Sequence, residues 1–175
     1  RYLALAEAKN GCAIVMEVKT GAIKAIVNLD RDEITGKYIE RSDHTIIERF
    51  EPGSTFKLIT LLAVLETGKI DTGDLVECEK GKYSLARAFE ISDNEGLFNA
   101  ARIAFGDINK FGLGVEKMGL QTNLDIEIKG AKQPLLRSVT TSLADFKNIT
   151  HGYSVSVPPM YMLAYYNAIA NNGVY

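Results

Sequence analysis

Cysteine is scarce in this chain of 175 residues: Cys12 and Cys78 are the whole complement. Two thiols cannot make a disulfide framework. They read as one bridge or as two buried thiols, and their number does not set the compartment. Long hydrophobic runs are missing too, since the longest apolar stretches, such as residues 61–65, fall far short of the ~20 residues that cross a bilayer. Basic charge is not in excess: 20 Lys and Arg stand against 22 Asp and Glu, for a net charge of −2. The chain therefore lacks the basic field or stripe of a nucleic-acid binder. Histidine is nearly absent, and His44 and His151 have no Cys or His at ligand spacing, which argues against a metal centre. There is no internal repeat. No secretory leader opens the chain and Arg1 is not a natural start, so the sequence reads as a piece of a longer protein.

What is there is an ordinary globular composition, 46% hydrophobic and 24% charged. A chain of this length forms one domain that buries roughly 70% of its unfolded surface, which excludes a stapled miniprotein and a disordered tail. Residues 2–9 read as a short helix with Gly11 as its C-terminal glycine. Residues 12–18 and 22–28 are apolar and β-branched around Lys19-Thr20-Gly21, a hairpin with a glycine turn. Such a hairpin needs a third strand or a packed helix. Residues 30–43 read as a charged surface loop. Leu58, Leu61, Leu62 and Leu65, stopped by Gly68, predict a buried helix over 54–67. Residues 71–82 read as polar and irregular, and 84–89 as one or two helical turns. Asn94 is the expected N-cap of a helix over 95–105, 107–118 reads as a further helix before Gly119, and Pro158-Pro159 opens a last one through Asn171, closed by Gly173. Leu124, Ile126 and Ile128 alternate with Asp125 and Glu127, the pattern of a half-buried strand. Met160, Tyr161, Met162, Tyr165 and Tyr166 fall at helical spacing and read as core. Glu77, Glu79 and the acidic cluster at 30–33 read as solvated loop charge.

The chemistry-bearing letters are Ser54-Thr55-Phe56-Lys57. A serine opening a helix sits among free backbone N–H groups near the positive end of the helix dipole, and a lysine three residues on shares its face. A neutral amine there can take the hydroxyl proton and make a useful nucleophile. Only about one lysine in a few thousand is neutral at pH 7, so burial or a neighbouring positive charge must depress its pKa. Alone, Ser-x-x-Lys is weak: about half of chains of this composition hold one by chance, and helix capping explains it. Ser92-Asp93-Asn94, about 35 residues on, adds a hydroxyl able to pass a proton and an amide that both donates and accepts.

In this order the two motifs match the set of penicillin-binding proteins and class A β-lactamases. Over nearly its whole length the chain resembles the transpeptidase domain of class B penicillin-binding proteins, of division-type and Bacteroidetes-like style. The resemblance rests on the hairpin at 12–28, on Phe50-Glu51-Pro52-Gly53-Ser54-Thr55-Phe56-Lys57, and on Gly152-Tyr153-Ser154-Val155-Ser156-Val157-Pro158-Pro159 followed by Tyr166-Asn167-Ala168-Ile169-Ala170-Asn171-Asn172-Gly173. Ser154, Pro158 and Tyr161 depart from that family's usual glycine, threonine and glutamine. Its third motif, Lys-Thr/Ser-Gly, does not follow Asn94. Lys19-Thr20-Gly21 has the letters but precedes Ser54 and fits the hairpin turn.

The resemblance implies an α+β fold of the serine β-lactamase and penicillin-binding-protein transpeptidase type: a helix-rich part plus the N-terminal hairpin, as one partial domain over 1–175 that lacks its C-terminal sheet strands. It implies a peptidoglycan D,D-transpeptidase, inhibited by β-lactams, in which Ser54 is the nucleophile, Lys57 its base and Ser92 a proton shuttle. Asn94 binds the stem peptide and hydrogen-bonds Lys57. No metal or organic cofactor is implied, and no nucleic acid. The parent would be membrane-anchored at the periplasmic face of the inner membrane, within a cell-wall synthesis complex, while the 175-residue piece is soluble and impaired. A serine β-lactamase is the alternative, opposed by the lack of a Glu-x-x-Leu-Asn-like stretch after Asn94. A β-lactam sensor is opposed by Ser92-Asp93-Asn94, where such sensors carry Ser-x-Val. A purely structural domain requires Ser54 to be buried away from Lys57 and Ser92.

Overall fold

A computed structural model describes residues 1–136 and 142–174. In chain order the elements are α1 (Tyr2–Leu5), β1 (Asn10–Met16), β2 (Ile23–Arg31), β3 (Tyr38–Ile39), a 3₁₀ turn (Gly53–Phe56), α2 (Lys57–Glu66), β4 (Leu75–Cys78), β5 (Gly81–Ser84), α3 (Leu85–Glu90), α4 (Asn94–Phe105), α5 (Ile108–Lys117), β6 (Leu135–Leu136), α6 (Leu143–Thr150), β7 (Val155–Ser156) and α7 (Pro159–Ala170). They gather into two compact units, one from residues 1–50, 123–133 and the segment from 157 on, the other from 51–122 and 134–156. Among the described residues no helix is long and apolar enough to cross a membrane.

The first unit holds the antiparallel sheet β1-β2-β3, with Ala13 opposite Val27. The expected turn is there: Gly21 takes a φ of 69° and its N–H donates to the Glu17 carbonyl. β2 runs on through Asp30 and Arg31 to pair with β3, so the stretch read as a loop supplies the third strand the hairpin needs. Asp32 organises the reversal by accepting from the Thr35 N–H at 2.8 Å, and Arg41 donates to its other oxygen at 2.7 Å. The acidic cluster is therefore built into a turn rather than merely solvated. Asp30 lies 2.8 Å from Nε2 of His44, which is 3% exposed, and Glu48 lies 2.8 Å from its Nδ1. Burial by itself would lower the His44 pKa, but the two carboxylates outweigh it and raise it.

Helix α1 stops at Leu5, short of the expected residue 9, and Gly11 lies inside β1. Glycine is needed there for space: a Cβ on it would come within 2.5 Å of the Leu3 side chain. α7 packs on β1 with Pro159 in its first turn; of the five residues expected in the core it buries Met160, Tyr161 and Tyr165, while Met162 is half-buried and Tyr166 is exposed. Gly173, at a φ of 83°, returns its N–H to the Ala168 carbonyl. The strand expected at 124–128 does not form. Burial does alternate there, with Leu124, Ile126 and Ile128 half-buried and Asp125 and Glu127 exposed, but among the described residues no strand pairs with this stretch, and side-chain alternation alone does not make a strand.

The second unit is helical. α2 is buried most deeply at Ile59, Ala63 and Val64, and it packs against α4 and α5. Phe98 and Phe111 each set their rings 5.5 Å from that of Phe146 on α6. The irregular stretch expected at 71–82 contains instead the hairpin β4–β5, closed between Cys78 and Gly81. Gly81 at a φ of 118° makes that reversal.

Candidate active site

The nucleophile's turn forms because Pro52 fixes a helical φ and Gly53 takes a φ of 55° just after it. The chain then winds as a 3₁₀ turn before becoming α2, and the Lys57 N–H donates to the Ser54 carbonyl. In a 3₁₀ helix residues i and i+3 eclipse, so Ser54 and Lys57 lie on one side, closer in direction than a regular α-helix would put them. Ser54 is exposed, whereas Lys57 is 1% exposed. An exposed hydroxyl thus lies one turn before a buried amine, and among the described residues no hydrogen bond joins the two; the amine's bonds go elsewhere.

The Lys57 ammonium is spent on one residue. Its Nζ donates to the Ser92 carbonyl at 2.5 Å and to Ser92 Oγ at 2.9 Å. Ser92 holds a φ of 56°, a left-handed conformation worth about 1–3 kcal/mol of strain for a residue with a side chain. Such strain persists where surrounding bonds over-determine it, and here it turns carbonyl and hydroxyl toward the same amine. Burial lowers the Lys57 pKa, against the carboxylates of Asp93 and Glu79, which push it up. Of the two routes to a neutral amine open from the sequence, the fold uses desolvation; the nearby charges are negative.

Asp93, not Asn94, caps α4. Its buried carboxylate accepts from the Gly96 N–H at 2.7 Å and from the Glu79 N–H at 3.2 Å, tying the β4–β5 turn to the helix that follows Ser92. Asn94 becomes the first helical residue and is half-buried. An aspartate one position earlier wins because its charged oxygen is the stronger acceptor for orphan N–H groups at the positive helix end. The expected bond between the Asn94 amide and Lys57 is not made among the described residues; the amine's bonds go to Ser92. Gly96 lets the hairpin approach, since a Cβ there would lie 2.7 Å from both Ala88 and the Cys78 sulfur. Cys78 and Cys12 are free thiols, the first half-buried and the second exposed, so they form neither the bridge nor the pair of buried thiols that their number allowed. Burial is the largest factor raising both pKa values, which leaves neither activated as a nucleophile.

Several residues that hold the site were not assigned from sequence. The segment 150–154, just past α6, is bonded to both motifs. The Thr150 carbonyl accepts from Thr60 Oγ1 at 3.0 Å, the Gly152 carbonyl from the Gly53 N–H at 3.1 Å, and Glu51 Oε1 from the Ser154 N–H at 2.9 Å. His151, read as a solitary histidine, lies with Nε2 2.9 Å from the Asn94 carbonyl. Ser154 adopts a φ of 60°, so it keeps the backbone shape of the glycine it replaces. Gly152 could have been flagged by its place in the late motif block and Asp93, the middle letter of its motif, by its fitness as a cap; nothing in the letters marked His151.

The profile of the penicillin binding protein transpeptidase domain matches residues 11–175. The chain is 26% identical to penicillin-binding protein PbpB of Mycolicibacterium smegmatis, over 95% of this chain and 29% of that protein. It is 24% identical to a peptidoglycan D,D-transpeptidase FtsI homolog of Mesostigma viride, over 95% of this chain and 33% of that one. It therefore spans about a third of the length of these relatives. Penicillin-binding protein 2B of Streptococcus pneumoniae has the same fold, with a TM-score of 0.79 at 19% identity, covering 98% of this chain and 35% of the other. So does penicillin-binding protein 3 of Mycobacterium tuberculosis, solved with aztreonam, with a TM-score of 0.79 at 24% identity, covering 98% and 43%. Because that profile covers nearly the whole chain, the chain belongs to the penicillin-binding-protein transpeptidase family.

Proposed function

We propose that these residues form the nucleophile half of a division-type peptidoglycan D,D-transpeptidase site, within a longer, membrane-anchored protein acting at the periplasmic face of the inner membrane. One observation carries the reading: a nearly fully buried lysine amine is held on the hydroxyl and carbonyl of Ser92, one 3₁₀ turn beyond an exposed serine. Neutral Lys57 accepts the Ser54 proton as Ser54 Oγ attacks the carbonyl between the two terminal D-alanines of a stem peptide. The C–N bond breaks, and the proton passes from Lys57 through Ser92 Oγ to the departing D-alanine amine. The acyl group stays on Ser54 as an ester. An amine from a neighbouring strand attacks that ester, its proton returns to Ser54, and a cross-link forms. Asn94 binds the donor peptide beside the ester. A β-lactam presents a strained amide in place of the D-Ala-D-Ala bond and leaves the same serine acylated.

The oxyanion needs two donors, one being the Ser54 N–H and the other, by family resemblance, lying beyond the Lys-Thr/Ser-Gly motif that does not follow Asn94 here. Removal of one such donor reduces rates by about 10²–10³. The full-length protein is expected to exchange a labelled D-amino acid into a D-Ala-D-Ala peptide and to release bound penicillin slowly. Rapid release points to a β-lactamase, and labelling that survives Ser54→Ala removes Ser54 from the mechanism.

A further inference from the structure

His151 is 4% exposed. The only side-chain hydrogen bond it makes among the described residues joins Nε2 to the backbone carbonyl of Asn94 at 2.9 Å. A carbonyl can only accept, so Nε2 carries the proton. Asn94 is the first residue of α4, and its carbonyl already belongs to the first helical turn; the imidazole is a second donor, fixing how that turn sits. The next residue, Gly152, is locked to the turn of Ser54: its carbonyl accepts from the Gly53 N–H at 3.1 Å, and a Cβ on it would stand 2.2 Å from the Gly53 carbonyl oxygen. Two consecutive residues thus grip the two motif-bearing turns, one each. Lys147, on the same helix, adds an ion pair to Glu95 of α4, so α6 reaches the Asn94 turn at two points.

We propose that His151 is a positioning residue that sets the Asn94 side chain in register with the Ser54 hydroxyl. It touches neither substrate nor reacting atoms and acts through Asn94. The inference rests on the transpeptidase reading and deepens it, because a substrate amide gripped by Asn94 is useful only if its carbonyl falls at Ser54 Oγ. A misplacement of about 1 Å in such an arrangement reduces rates about a hundredfold. The charged groups around the imidazole are Lys57 of α2, Asp93 at the head of α4 and Lys147 of α6. Burial, together with the two lysines, holds the ring neutral, which keeps a further positive charge away from the Lys57 amine.

The test is a double-mutant cycle in the full-length protein, read as the second-order rate of acylation by a fluorescent penicillin. His151→Leu, which keeps bulk and removes the donor, should slow acylation about tenfold to a hundredfold. His151→Gln, which can present an N–H to the same carbonyl, should recover most of that loss, even if both variants melt at the same lowered temperature. In an Asn94→Ala background, His151→Leu should cause no further loss, since residues acting through one another are not additive. Additive losses, or equal losses in the Leu and Gln variants, would overturn the proposal and leave the transpeptidase reading standing. A wild-type protein that is not acylated, or acylation that survives Ser54→Ala, removes both.

Discussion

Replacement of Gly152 by alanine is expected to destabilise the protein by about 3–5 kcal/mol, the largest stability effect of any single-methyl change in the second unit. Two terms combine. The residue sits at a φ of 80°, where a side chain is strained, and the new Cβ would meet the Gly53 carbonyl oxygen at 2.2 Å and the Phe56 Cβ at 2.6 Å. The first term alone is tolerable, because Ser154 adopts a φ of 60° two residues away. The second is not, because the neighbour is backbone and Phe56 is wholly buried. Relief requires moving the turn that presents Ser54, so protein that still folds should also be acylated slowly. Chemical denaturation of the wild type and of Gly152→Ala measures the first effect; a shift below 1 kcal/mol would show that the two segments do not press together as described.

Lys57→Met should separate activity from stability. Loss of a general base reduces rates by about 10²–10⁴, so penicillin acylation should fall by at least a hundredfold. Stability at pH 7 should be unchanged or higher, since replacing a buried charge by an apolar side chain of similar length is often neutral or favourable. The linkage has the same sign. Burial depresses the Lys57 pKa below its unfolded value of about 10.4, so between the folded and unfolded values the unfolded state binds more protons and stability rises with pH. At pH 7 the lysine is therefore a liability to folding, which methionine removes. Ser92, left without the ammonium, is exposed and can turn to water. A Lys57→Met protein with near-normal acylation, or one that melts far below the wild type, contradicts this account.

The helices were the most legible part of the chain because their ends carry strong signals: α2 lies where the apolar spacing and Gly68 placed it, α4 behind its polar cap, α5 before Gly119 and, in the first unit, α7 after Pro158-Pro159, within a few residues. Strands were read less well. β3 is two residues long and β4–β5 is made of two four-residue strands, too short for alternation to register. Residues 124–128 show the opposite failure, keeping the alternation without a partner strand. The site motifs were legible because Ser54, Lys57 and Ser92 are set by local turns whose letters recur. What braces them was less so: Asp93 is a local cap of Gly96 that was passed over for Asn94, while its bond to the Glu79 N–H and the reach of His151 to a carbonyl 57 residues away in sequence depend on packing that no spacing encodes.

The central claim is that the exposed serine one turn before the buried lysine is the acylated residue. Peptide mapping by mass spectrometry of the full-length protein after reaction with benzylpenicillin tests it most directly. The adduct should fall on Ser54 in the segment that also carries Thr55 and Lys57, and should vanish in Ser54→Ala. An adduct on Ser92, on Cys78 or on any residue outside that turn, retained when Ser54 is alanine, would contradict it.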